Sequence, residues 1–238
     1  MVLSVQYPPS LKHRKIPDRD NQLLNLLSDS ELRNLMAHSE RVVLNAKTAL
    51  YKASEAIKKA YFPLRGIVSL LNIGEEGLVT EVAMVSNEGM VGISAFLGNK
   101  LHFDYAIAQT ECIVIAVPAD ILKQEFTYSN ELQRILLSYT QALFAQVSQN
   151  VFCSCHHTLE QRLARWLLAY SNRLETKKLL LTQETLADLI GVRRSSLSVV
   201  AVDLRQRKLI DYNRGKITIL DFEALKKIAC SCDLKATR

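Results

Sequence analysis

Apolar and polar positions follow three rhythms along this chain. Residues 21–39 (NQLLNLLSDSELRNLMAHS) place Leu23, Leu24, Leu27, Leu32, Leu35 and Met36 at helical spacing, with Ser28 and Ser30 marking a break between two short helices. From about residue 41 to 118 the rhythm changes to short β-rich runs: VVL, YFPL, IVSLLNI, LVTEVAMV, YAIA and CIVIAV. Turn signals separate them at Arg65-Gly66, at Gly74 to Gly77 (GEEG), at Asn87 to Gly89 (NEG) and at Gly98-Asn99. Several short strands at regular spacing predict a compact barrel or jelly roll, with a hairpin at GEEG.

After Pro118 the pattern becomes helical again. Between residues 130 and 152, Leu132, Leu136, Tyr139, Leu143, Val147 and Val151 fall close to one stripe, which Ile135, Leu137, Ala142 and Phe144 widen. A stripe that wide suits a helix lying between its own roll and a second copy of the chain. Leu132, Leu136, Tyr139, Leu143 and Val147 are the residues expected on this dimer helix. A helix packed only on its own domain is the alternative. Thr158 to Gln161 (TLEQ) has the form of a capping box, so the helix breaks and restarts there. Leu159, Leu163, Trp166, Leu167 and Tyr170 then line one face of the next helix.

Residues 182–206 (TQETLADLIGVRRSSLSVVAVDLRQ) carry the functional signal. Thr182 is a good N-cap, and Glu184 complements the helix dipole in the first turn. Leu186, Leu189 and Ile190 form an apolar face, and Gly191 permits a tight turn. A second amphipathic helix follows, with Leu197, Val200, Ala201 and Leu204 at core spacing. Two helices around a glycine turn make a helix-turn-helix, and LID, a turn over Tyr212 to Gly215 and KITIL add a two-stranded wing.

On the second helix, a step of roughly 100° per residue turns Ser195, Val199, Val202 and Gln206 outward, with Ser198 and Arg205 at their flanks. Arg193 and Arg194 occupy the first turn, where a recognition helix meets base edges, and an arginine fork can contact guanine bidentately. Exposed valines are natural partners for thymine methyl groups. Arg193, Arg194, Ser195, Ser198, Val199 and Val202 are therefore the expected base-reading set. Thr182, Gln183, Ser196, Arg214 and Lys216 suit phosphate contacts that position the domain.

Composition sharpens this reading. The 238 residues are 48% hydrophobic and 23% charged, as in ordinary globular proteins, and suffice for two small domains. The net charge is +6, yet residues 159–238 hold 16 of the 30 Lys and Arg against 9 of the 24 Asp and Glu. The whole basic excess thus lies in the last third, as expected of one domain facing a polyanion. No apolar stretch reaches membrane-spanning length, the start (MVLSVQYPPSLKHRK) lacks a signal-peptide core, and five cysteines do not suit a secreted disulfide framework. A cytoplasmic protein with no membrane contact is expected.

The stretch TQETLADLIGVRRSSLSVVAVDLRQRKLIDYNRGKITIL resembles the DNA-binding end of the Crp/Fnr superfamily. Upstream, LRGIVSLL, SNEGMVG and TECIVIAVPADILKQEF resemble that family's cyclic-nucleotide-binding-type β-roll. The likeness covers about residues 20 to 230. It implies an α+β fold with an arm over 1–20, a β-roll (jelly roll) effector domain over 21–128, a dimerisation helix over 129–157 and a winged helix-turn-helix over 158–238. It further implies a homodimer that reads a palindromic double-stranded DNA site, half-sites roughly one helical turn (about 34 Å) apart, with RNA polymerase as a further partner. Arg194 matches the family's guanine-reading arginine. Ser195 and Val199 stand where the cyclic-AMP receptor protein has a glutamate and a second arginine, so a different preferred DNA sequence is implied.

The matching effector region is Gly92, Ile93, His102, Phe103 and Ser148. There, Ile93 replaces the ribose-binding glutamate, and His102 and Phe103 replace the Arg-Ser pair that neutralises the phosphate. Without that arginine a buried phosphate would be an unpaired anion, so cyclic-AMP binding is not expected. An iron-sulfur sensor of the FNR type lacks its N-terminal cysteine cluster. No cofactor is predicted, and the effector, small molecule or redox, is unidentified.

Two cysteine motifs stand apart. In Cys153-Ser-Cys155-His156-His157, Cys153 can share a helix face with either histidine but not with Cys155. Cys230-Ser-Cys232 lies near the C-terminus. Neither has the usual CxxC zinc spacing, so no metal site is predicted and packed thiols are the expectation, with a redox-responsive thiol as the second reading. No P-loop, nucleophile elbow or paired-carboxylate motif points to an enzyme. The competing function is a winged-helix protein-interaction module with a ligand-free roll.

Overall fold

A computed structural model describes residues 20–98 and 101–232; the expected arm and Asn99 of the Gly98-Asn99 turn lie outside them, Asp20 apart. Helix α1 (Gln22–Asn25) is capped by the Asn21 side chain, and α2 (Asp29–Met36) by a capping box between Ser28 and Glu31. The buried Asn21 amide also donates to the Pro63 and Gly89 carbonyls at 2.9 and 2.8 Å, pinning this segment to the strands behind it.

Seven strands follow: β1 (Glu40–Leu44), β2 (Ala49–Tyr51), β3 (Lys59–Arg65), β4 (Val68–Ile73), β5 (Val79–Val85), β6 (Tyr105–Ala108) and β7 (Cys112–Pro118). They pair antiparallel in two sheets, ordered β1-β7-β3 and β2-β6-β4-β5. The predicted GEEG hairpin joins β4 to β5, with the Gly77 N–H donating to the Gly74 carbonyl at 2.9 Å. Inward side chains including Phe62, Leu64, Val68, Leu70, Met90 and Val114 fill the space between the sheets. This is the expected roll. Helices α3 (Ser94–Leu97) and α4 (Ala119–Tyr128) complete it.

Helix α5 (Asn130–His156) runs for 27 residues from the Ser129 cap. Leu132, Leu136, Tyr139 and Leu143 are buried in this chain's own roll, and the Tyr139 hydroxyl donates to the Met90 carbonyl at 2.7 Å. Val147 is half-buried against the same core. These five residues of the expected dimer helix thus spend their apolar area on the chain's own roll, and a second copy would meet the helix on its other side. Leu137, Phe144 and Val151, 49, 74 and 59% exposed, form the other side of the helix at intervals of seven residues. Among the described residues no helix is long and apolar enough to cross a membrane.

At His157 the backbone turns extended, and the predicted capping box of Thr158 and Gln161 starts α6 (Leu159–Leu174). Strand β8 (Lys178–Leu180), α7 (Gln183–Ile190), α8 (Arg194–Gln206), β9 (Ile210–Asn213), β10 (Lys216–Ile219) and α9 (Phe222–Ile228) follow, the strands ordered β8-β10-β9. Leu163, Leu167, Tyr170, Leu186, Leu197, Leu204 and Ile217 form the second core. Ile67, Leu71 and Met84 of the roll join it, so the two domains share an apolar joint. Polar contacts stitch the same joint: Arg173 pairs with Glu88 at 2.7 Å with both side chains largely buried.

Candidate nucleic-acid interface and effector region

The helix-turn-helix geometry starts from two turns. Thr182 caps α7 by accepting from the Thr185 N–H at 3.1 Å. Gly191 ends α7 with φ 72°, a left-handed conformation that costs an L side chain about 1–2 kcal/mol. The chain then reverses, and Arg193 stands at the N-cap of α8. Leu197, Ala201 and Leu204 turn inward and are buried. Arg193, Arg194, Ser195, Ser196, Val199 and Val202 are exposed, with the two valines 72 and 52% accessible. Two bare valines beside two arginines contribute nothing to the core and leave this face open to solvent.

Ser198 is half-buried, and its hydroxyl donates to the Gln183 side chain at 2.9 Å. The Gln183 N–H in turn donates to the Tyr212 hydroxyl at 3.1 Å. These bonds lock α7, α8 and the wing into one unit; Tyr212, absent from the predicted site set, is the wing's fastener. At the wing tip Arg214 and Gly215 both have positive φ (47° and 78°), the signature of a tight two-residue hairpin, which presents Arg214 and Lys216 to solvent. Arg205 and Arg207 are taken up by Asp211, Asp203 and Glu160. Among the described residues no carboxylate pairs with Arg193, Arg194, Arg214 or Lys216, which leaves their charge available to an anion.

In the roll, Gly92, Ile93 and Phe103 border a cavity of only about 10 Å³, together with Tyr51, Asp104 and Leu143. That volume holds roughly one water. His102 is buried and lies flat on Tyr51, ring centroids 3.5 Å apart, and burial holds its imidazole below the ordinary range. Burial likewise pushes the Asp104 carboxyl up to about 6, although Tyr51 hydrogen-bonds it. Ser148 is exposed on α5, outside this group. Among the described residues the cavity has an acid and no arginine on its wall, so these residues do not fit a cyclic phosphate. A larger cavity of about 130 Å³ lies at the domain joint, between Glu81, Asn150, Arg162, Arg165 and Ile190. It draws on β5, α5, α6 and α7, and periodicity within any one of them does not reveal it. Its one visible hint is Glu81, the charged residue in the β-rich run LVTEVAMV.

Comparison with known proteins agrees with this architecture. The cyclic nucleotide-binding domain family matches residues 41–128, and the Crp-like helix-turn-helix domain family matches residues 161–228. The global nitrogen regulator of Nostoc sp. (strain PCC 7120) is 26% identical over 182 residues, covering 73% of this chain and 81% of the relative. The crystal structure of TTHA1359, a CRP/FNR-family transcriptional regulator from Thermus thermophilus, superposes with a TM-score of 0.70 at 25% identity, over 82% of this chain and 100% of that one. TTHB099, a CRP-family regulator from the same organism, gives 0.72 at 22% identity with the same coverage. With a cyclic nucleotide-binding-type roll, a long helix and a Crp-like helix-turn-helix in this order, the chain belongs to the Crp/Fnr superfamily of DNA-binding transcription regulators.

Proposed function

We propose that the protein acts as a homodimer on a palindromic DNA site and is gated through its roll by an effector other than cyclic AMP. The carrying observation is the outward face of α8, where Arg193, Arg194, Ser195, Val199 and Val202 are exposed together with, among the described residues, no carboxylate partner for either arginine. Arg194 reads guanine and the valines meet thymine methyls. Thr182, Ser196, Arg214 and Lys216 hold the phosphates on either side, with Gln183 bracing Ser198 from behind. The dimer seam runs along Leu137, Phe144 and Val151, whose seven-residue spacing is that of a two-stranded coiled coil. Ser148, exposed one turn beyond Phe144, lies on that side.

The effector reading rests on the roll. Its cavity, about 10 Å³ in volume, carries the Asp104 carboxyl on its wall, which disfavours the anionic phosphate of cyclic AMP. A cyclic nucleotide would meet the Asp104 carboxyl there, with His102 and Phe103 in place of the Arg-Ser pair. The experiment is a shift assay with duplex DNA from a selected random pool at two salt concentrations. Steep weakening with salt and loss of base preference in Arg194→Ala are expected. Duplex binding that is absent at low salt, or identical in the variant, overturns the reading.

A further inference from the structure

The fold brings two separate cysteine motifs to one point. Cys153 lies in the last turn of α5 and His157 caps that helix four residues later, so both face the same way. Cys230 and Cys232 follow α9, which ends with Ala229 in an extended conformation. The Sγ atoms of Cys153 and Cys230 are 3.9 Å apart, and Cys232 Sγ lies 3.8 Å from His157 Nδ1. All four donor atoms fall within 4.8 Å of one another. Cys153 and Cys230 are buried, while His157 and Cys232 are partly exposed, which leaves an entry path.

These distances have a simple geometric meaning. A tetrahedral ion with sulfur at about 2.3 Å and nitrogen at about 2.0 Å sets its donors roughly 3.5–3.8 Å apart. Thiols that merely pack together have no reason to surround one centre with an imidazole. A multi-iron cluster divides its thiolates among several irons and needs them more widely spread. Three thiolates and one imidazole in a closed tetrahedral set select zinc by softness and geometry.

We propose that Cys153, His157, Cys230 and Cys232 form a Cys₃His site for a single zinc ion, which clasps the end of the dimerisation helix to the end of the DNA-binding domain. Binding takes the three thiols to thiolates, with three protons released to solvent, and uses a neutral imidazole. The Gln149 amide donates to Cys153 Sγ at 3.5 Å, and the guanidiniums of Arg162 and Arg165 lie within electrostatic reach of Cys153 and Cys230. Both arginines offset the net negative charge of a tris-thiolate zinc site. The Phe152 ring meets the His157 imidazole edge-on, centroids 5.7 Å apart, and steadies it. The clasp spans the Thr158 break, where the two domains would otherwise pivot.

The test uses the full chain, purified under reductant, stripped of metal and titrated with cobalt(II). One equivalent per chain is expected to give the intense visible bands of a tetrahedral ion and a near-ultraviolet thiolate-to-cobalt band, both displaced by zinc. Cys155→Ser, at an exposed thiol outside the cluster, keeps them; Cys230→Ser with Cys232→Ser abolishes them. Zinc content of untreated wild-type protein, expected at one per chain, gives a readout that needs no variant. A pale octahedral cobalt spectrum, thiolate bands surviving in the double variant, or a Cys153–Cys230 disulfide in freshly isolated protein each overturns the proposal.

Discussion

The indole N–H of Trp166 donates to Glu81 Oε1 at 2.7 Å, across the joint between α6 of the DNA-binding domain and β5 of the roll. The other carboxyl oxygen accepts from the Ser69 hydroxyl. Glu81 is only 8% exposed, and burial pushes its carboxyl up to about 7 despite the stabilising bonds from Ser69 and Trp166. A proton near neutral pH thus sits at the contact between the roll and the winged helix-turn-helix.

This has a sign. The folded carboxyl keeps its proton between about pH 4.5 and 7, where the unfolded chain has released it, so stability falls as pH rises through that window and is flat above it. Glu81→Gln, neutral throughout, is expected to remove this slope, which is on the order of 3 kcal/mol. Urea unfolding at pH 5 and pH 8 measures it. An equal pH difference in the variant and the wild type refutes the placement of the proton.

Gly191 serves the recognition turn and the joint at once. Its φ is 72°, and a Cβ there would meet Thr80 Oγ1 at 2.9 Å and Cγ2 at 3.2 Å. Gly191→Ala is expected to destabilise by more than the roughly 1–2 kcal/mol of the left-handed backbone alone. Adding Thr80→Ala relieves the contact but not the backbone, so only part of the loss returns. A double-mutant cycle by denaturant unfolding reads this coupling.

Neighbouring residues on α5 are expected to behave oppositely. Leu143 is 7% exposed and Phe144 is 74% exposed. Leu143→Ala costs about 2–5 kcal/mol of stability and leaves assembly unchanged. Phe144→Glu leaves the fold intact and yields monomers in sedimentation; a dimer surviving it places the seam elsewhere.

On the wing, Lys216→Ala and Arg214→Ala each weaken binding to all duplexes alike and lower the log–log salt slope by about 1. Arg205→Ala, whose guanidinium is paired with Asp211 at 3.3 Å, changes the slope less. Filter binding across a salt series separates them.

What could be read from the chain alone was local. The Thr158–Gln161 capping box, the GEEG hairpin, the Gly191 turn and the inward Leu197, Ala201 and Leu204 each depend on residues within a few positions of one another, so their spacing carries the physics; the Ser28–Glu31 box, equally local, was read only as a break. The outward arginines and valines of α8 followed from the same periodicity. The wide stripe of α5 did not say which side met the roll; that was settled when the roll's open edge buried Leu132, Leu136, Tyr139 and Leu143 and left Leu137, Phe144 and Val151 bare. Cys153 and Cys230 are 77 positions apart, and no local pattern links them. Their meeting, like that of Glu81 and Trp166 across 85 positions, depends on how two cores dock, which is decided by summed apolar burial rather than by any single spacing.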